Sequence, residues 1–227
     1  MTGFLRNAVG GGIGLALTPV LTSFLAPQPT LALIGLLLLL SDRISLWLYG
    51  RRWNAAEARR LVPAMLVGIG LGGWLVAGLS AAALRQGMGG AALLFGLVQL
   101  AILLRGRAPS AAPSAPPMAV GAGVASTVAH SGGVVLGLYL VGRPLGSAGV
   151  VATGTLAYAI SDVAKVGTYT AIGWVTVPLL LATLAATPFL YLGSWLGYRL
   201  NARLPRRAFA VTLIAIALAG AVRLLLS

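Results

Sequence analysis

A lone histidine, a serine and two glycines occupy the middle of "VASTVAHSGGVVLGLYLVGR", Val124 to Arg143, a run that otherwise reads as lipid-soluble helix. An ionisable side chain and a backbone without ladder hydrogen bonds are both costly in hydrocarbon, so residues of this kind need a task. His130 could donate to an anion, shuttle a proton, or cap a broken helix end. Ser131 beside it is either a cap or a hydrogen-bond donor to an anion. Gly132 and Gly133 admit close approach to free backbone N–H groups, and a helix end there favours negative charge. Gly10, Gly11 and Gly12 in "VGGGIG", Val9 to Gly14, offer the same near the start of the chain. The plainer reading is that these glycines serve tight helix packing.

A second group of chemically capable residues lies on one helical stripe. Tyr158, Asp162, Lys165 and Tyr169 fall at i, i+4, i+7 and i+11, the spacing of a single helix face, and polar groups on one face inside a membrane point inward. Lys165 sits about 10 Å from the end of its apolar run at 1.5 Å per residue, so it can snorkel only partly. It is either the structural partner of Asp162 or the cation that recognises substrate charge, directly or by release from Asp162. Asp42, Ser45 and Tyr49 repeat the stripe earlier in the chain, with Arg43 turned about 100° away, so Asp42 and Arg43 are expected to find partners on other helices. Tyr49, Tyr158 and Tyr169 are expected to line the pocket. Trp47, Trp53, Trp74, Trp174 and Trp195 suit belt or packing roles. HEXXH and GxSxG are missing, as is any acidic and histidine cluster of metal-ligand spacing, and His130 next to Ser131 does not by itself make a base–nucleophile dyad. The expectation is no metal, no cofactor and no enzyme.

The elements that must position these residues are set by composition. Of 227 residues, 59% are hydrophobic and 8% charged, at a mean hydropathy of +0.96. Three acidic and sixteen basic residues cannot make the charged shell of a soluble domain, so the chain reads as an all-α polytopic membrane protein. The net charge of +13 does not point to nucleic acid, because the arginines cluster at the ends of apolar runs, which is the positive-inside pattern. With no cysteine there is neither a disulfide framework nor thiol chemistry. Arg6 before an apolar run loosely resembles a signal peptide, but the segment reads as structural and is expected to be retained.

Apolar runs between Gly, Pro and Arg punctuation give eight units: Phe4 to Leu25, Pro29 to Tyr49, Arg60 to Leu84, Met88 to Leu104, Met118 to Val141, Ser147 to Ile172, Val175 to Leu200 and Ala208 to Leu226. A Pro-, Ala- and Ser-rich tether separates the fourth from the fifth, giving a first repeat at 1–105, a linker at 106–117 and a second repeat at 118–227. At an offset of 120 residues Gly12 matches Gly132, Ser41-Asp42 matches Ser161-Asp162 and Tyr49 matches Tyr169; at 121, Gly72 and Trp74 match Gly193 and Trp195. If all eight units crossed the bilayer, the arginine-rich loops after the second and seventh units would face opposite sides. If the first and fifth units instead break at their glycines and return, eleven basic residues gather on one side against three on the other. The chain is therefore read as two inverted repeats, each a re-entrant broken-helix hairpin plus three transmembrane helices.

"VGGGIGLALTPVL", "GAGVASTVAHSGGVVLGLYL", "ISDVAKVGTYTAIGW", "TPFLYLGSWLGYRL" and "FAVTLIAIALAG" together resemble the TauE/SafE family of sulfite and organosulfonate exporters, also called the toluenesulfonate uptake permease family. The resemblance runs over nearly the whole chain and is more specific in the second half. It implies a bacterial inner-membrane, multi-pass carrier of sulfur-containing or small organic anions, generally without ATP hydrolysis. The family usually has Asn where this chain has Asp162, and a longer apolar arm than Met1 to Val9.

The expected function is a secondary transporter of small anions of the sulfite or sulfoacetate type, with the anion at the midplane between the two broken-helix tips. The alternatives are an anion channel, since glycine-rich re-entrant tips also build selectivity filters, and a non-transport membrane assembly protein. The expected partners are the small anion, protons as a candidate coupling ion and the lipid bilayer, with no nucleic acid. Oligomeric state is left open, a homodimer being one option.

Overall fold

The computed structural model describes residues 13–50, 52–105, 114–201 and 206–226. Among them it is all-helical: α1 Ile13–Thr22, α2 Pro27–Tyr49, α3 Ala55–Ala77, α4 Ala81–Arg105, α5 Ala115–Ala129, α6 Gly132–Val141, α7 Gly146–Ala171, α8 Val177–Asn201 and α9 Arg206–Leu226. Four of these, α2, α3, α4 and α8, are long and apolar enough to cross a membrane. At 26 residues α7 is as long, about 39 Å at 1.5 Å per residue, but it carries the polar stripe.

Local chemistry sets where the helices start and stop. α2 opens on proline, whose missing N–H is no loss in the first turn, and closes on Gly50 at φ 61 with its N–H on the Leu46 carbonyl. α3 starts after Asn54, whose side chain accepts from the Glu57 N–H at 3.0 Å, so it begins before the predicted Arg60. The break expected around Arg85 falls instead at residues 78–80. Gly78 closes α3, and Ser80 Oγ accepts from the Ala83 N–H at 3.2 Å, leaving Arg85 inside α4. α5 begins at Ala115, so the last three residues of the predicted linker are helical; Pro116 and Pro117 sit in its first turn, where proline is tolerated. The fifth unit is interrupted, but at His130 and Ser131 rather than at its glycines, because Gly132 and Gly133 already open α6. Of the first unit only α1 is described, and Gly10, Gly11 and Gly12 lie outside the described residues.

Three contacts along their length show α3 and α7 running in the same direction. The Asn54 N–H donates to Thr153 Oγ1 at 2.9 Å, Met65 Sδ lies 3.8 Å from Ser161 Oγ, and a Cβ on Gly73 would run into the Thr168 side chain. α6 runs back beside α5: Gly132 at its start packs on Ala122 and Ser126, and Leu136 and Tyr139 join Ala115, Ala119, Leu61 and Met65 in one apolar cluster. A second cluster joins Leu15 and Ala16 of α1 to Ala92 of α4, Val134 of α6 and Ala217 and Ala221 of α9. A third brings Leu31, Val76, Leu84, Met88, Tyr169 and Leu224 together, so the start of α2 meets the end of α7.

Where lipid surrounds the helices, close packing rather than the hydrophobic effect holds them together, and the α3–α5 contact shows this most directly. A Cβ on Gly123 would run into the Met65 carbonyl, and one on Gly68 into the Val120 carbonyl, so the two backbones touch. Gly121 on the same helix faces open space. Gly123→Ala should therefore lose about 1–3 kcal/mol through overpacking, whereas Gly121→Ala should stay within about 0.5 kcal/mol of the parent. Thermal denaturation of the purified protein checks this; equal midpoints for the two variants would contradict the packing.

Candidate functional site

The interruption between α5 and α6 is the geometric centre of the candidate site. His130 adopts φ 50, the one non-glycine residue with positive φ among those described, and this left-handed step ends α5. Turning there leaves the last carbonyl oxygens of α5 short of helix donors, and four carbonyls near the break have partners at or beyond it. The Ser126 carbonyl accepts from the His130 N–H at 3.0 Å, and the Ala125 carbonyl accepts from the Ser131 N–H at 3.2 Å and from Ser131 Oγ at 3.1 Å. The Thr127 carbonyl accepts from the Tyr169 hydroxyl at 2.6 Å, and the Ala129 carbonyl from Thr18 Oγ1 of α1 at 3.2 Å. On the other side of the break, the Gly132 and Gly133 N–H groups belong to the helix start that has no intrahelical acceptor.

The stripe on α7 follows this break residue by residue. Its Tyr158 hydroxyl donates to the Gly133 carbonyl at 3.2 Å, its Lys165 ammonium to Ser126 Oγ at 3.0 Å, and its Tyr169 hydroxyl to Thr127. Lys165 also forms an ion pair with Asp162 Oδ1, and the two side chains are 1% and 4% exposed. A lysine so buried survives only because its charge is met on both sides. Asp162 and Lys165 therefore are partners in this conformation, and Ser126 completes the cradle.

His130 does more than end a helix. Its Nε2 lies 3.0 Å from the Leu31 carbonyl of α2; a carbonyl can only accept, so Nε2 carries the proton. The ring stands edge-on to Tyr169, centroids 6.3 Å apart at 79°, and Tyr169 stacks on Trp174. From the other side α1 comes in contact: a Cβ on Gly14 would run into the His130 side chain and carbonyl. Gly132 is closely packed too, its missing Cβ lying against the Ala122 carbonyl, so the packing role proposed for it is realised.

On α2, Ser41, Asp42 and Ser45 are buried while Arg43 is exposed, as their angular separation requires. The side chain of Tyr49 lies outside the described residues. Sequence reasoning missed Ser126, Thr127 and Thr18, which make direct contacts at the break; Ser126 stands one helical turn before His130, which is the signal that could have found it. It also left Glu57 unassigned. That carboxylate accepts from the Tyr139 hydroxyl at 2.7 Å and from Arg60 at 3.3 Å, with Arg143 stacked 4.3 Å over the Tyr139 ring, and so ties the end of α6 to the start of α3. Among the described residues no group of three His, Asp or Glu side chains could hold a metal.

The buried pair gives a stability test. Lys165→Met removes one partner and strands Asp162, which should destabilise by about 3–5 kcal/mol, whereas the double variant Asp162→Asn with Lys165→Met should recover most of that loss. Thermal unfolding of the parent, Lys165→Met, Asp162→Asn and the double variant gives the coupling; a double variant no more stable than Lys165→Met would contradict the pairing.

The geometry is that of helical segments held together around a buried cation, a buried carboxylate and a broken helix end, and the comparison with known families agrees in kind. A family model described as "Sulfite exporter TauE/SafE" matches residues 1–224. No curated protein and no solved structure matches the sequence. With almost its whole length matched, this membrane protein belongs to the TauE/SafE sulfite exporter family.

Proposed function

We propose that the chain is a secondary transporter of small anions in the bacterial inner membrane, taking sulfur oxyanions, organosulfonates or organic acids of the sulfite and sulfoacetate type. The observation that carries this reading is Lys165, 1% exposed and held between Asp162 and Ser126 beside a broken helix end. An ammonium in that setting can exchange its protein partners for an anionic ligand, and the Gly132 and Gly133 N–H groups, with Ser131, supply donors to the same ligand. His130 would hold the tip in place through Leu31. Tyr158, Tyr169 and, from the first half, Tyr49 and Asp42 would line the space the anion crosses, and Gly10, Gly11 and Gly12 would form the opposing tip.

The architecture proposed for this is a pair of inverted repeats, each with a re-entrant hairpin and three membrane crossings. Its support is the recurring element order: α6, α7, α8 and α9 follow α1, α2, α3 and α4 at an interval near 120 residues. The packing is reciprocal as well. α3 packs on α7 as α2 packs on α8, while α2 with α7 and α4 with α9 pair each element with its own counterpart. Such an arrangement places a substrate site where the repeats meet. The hairpin reading of α5 and α6 is supported by Tyr139 reaching Glu57 at the start of α3. The arginine-rich side would be cytoplasmic.

An anion arriving at Lys165 competes with Asp162, and the carboxylate it displaces is the group that would take up a proton. That links anion movement to a proton. Counterflow of labelled sulfite in proteoliposomes tests the function: the parent should show saturable exchange and Lys165→Ala should lose it, while linear, non-saturating flux would favour the channel reading. Asp162→Asn should keep exchange but flatten its pH dependence; an unchanged pH profile would remove the proton from the scheme. Single cysteines introduced at Arg52 and at Asn201 should label from the same side, and labelling from opposite sides would overturn the inverted arrangement.

A further inference from the structure

Away from the broken helix, α2 and α8 lie side by side and leave a groove of about 530 Å³ lined by Arg43, Ile44, Trp47, Tyr191, Leu192 and Trp195. Its walls are apolar and aromatic, and Trp47 is 80% exposed. That volume is in the range of about 300–1,000 Å³ typical of small-ligand sites. One turn beyond Trp195, the Arg199 guanidinium stacks 4.0 Å over the Trp195 ring, so a second positive charge stands against a residue that lines the groove. Arg43 is exposed six residues before the end of α2, about 9 Å at 1.5 Å per residue, within reach of a headgroup region for a long side chain.

Among the described residues, no acidic side chain is paired with the arginines at this groove. Of the three acidic residues, Glu57 is engaged by Arg60 and Tyr139, Asp162 by Lys165, and Asp42 is buried on the other side of α2 from Arg43. An arginine facing hydrocarbon is costly unless an anion meets it. We propose that the α2–α8 groove is a binding site for one anionic phospholipid, its phosphate engaging Arg43 and Arg199 and one acyl chain lying along Ile44, Trp47, Tyr191 and Leu192. Trp47 stands two residues before the end of its helix, and aromatic side chains near the ends of membrane helices favour the headgroup boundary. A second copy of the chain fits less well, because a two-fold contact here would bring the arginines of both copies together in one apolar seam. The site requires only that the chain lie in a membrane, so it stands apart from whether an anion is transported.

Native mass spectrometry of the full chain released from nanodiscs of equal phosphatidylglycerol and phosphatidylcholine tests the site. The parent should retain one phosphatidylglycerol with a preference of about tenfold, from two arginines facing one phosphate. Arg43→Gln with Arg199→Gln should bring that preference close to parity, while Arg223→Gln, outside the groove, leaves it in place. Tryptophan quenching gives a readout that does not depend on the arginine variants folding: phosphatidylglycerol brominated on its acyl chains should quench the parent more than the matching phosphatidylcholine, and Trp47→Phe should remove most of the difference. Equal retention and equal quenching by the two lipids, or a dimer whose contact shields Trp47 from both, would overturn the proposal.

Discussion

A backbone polar group in hydrocarbon must find a partner within the protein, and the interruption of α5 at His130 is the place where this fold meets that demand without a continuous helix. Stopping the helix strands carbonyls, and the partners come from three directions: Ser131 just beyond the break, Thr18 from α1 and Tyr169 from α7. Those bonds fix where α1 and α7 must lie. His130 then fixes α2 through the Leu31 carbonyl, so one break orients three surrounding helices.

The same constraint explains why charge is tolerated nearby. Lys165 and Asp162 neutralise one another, and Ser126, which belongs to the broken element itself, satisfies another ammonium donor. The ion pair is thus attached to the break rather than simply adjacent to it. A ligand that draws Lys165 away would loosen α5 from α7, and a change in the tip would be felt by the pair.

Much of this was legible from spacing. The intervals among Tyr158, Asp162, Lys165 and Tyr169 placed them on one face, and that face does meet the break. The break itself was legible because histidine, serine and paired glycine have no ordinary reason to interrupt an apolar run. What the stripe touches was not legible: Ser126 and Thr127 are small hydroxyl residues common in membrane helices, and nothing local singles out a contact made 39 or 42 residues along the chain. The boundary between α3 and α4 was misplaced because Arg85 and Gly87 look like punctuation, whereas the helix is set by the Ser80 cap and tolerates a charge one turn in. The tether was drawn too long because Pro116 and Pro117 suggest coil, yet proline suits a first helical turn.

Lys165 is the only lysine in the chain, which makes the central claim open to a direct observation. Protein labelled with ¹⁵N-lysine gives a single side-chain ammonium signal in an NMR spectrum, and that signal reports on the surroundings of Lys165 alone. On titration with sulfite it should shift progressively and saturate, and the Asp162→Asn variant should start from a different position because the ion pair is gone. A lysine signal that stays fixed up to sulfite concentrations that saturate counterflow would contradict the account, since the anion would then cross the protein without meeting its buried cation.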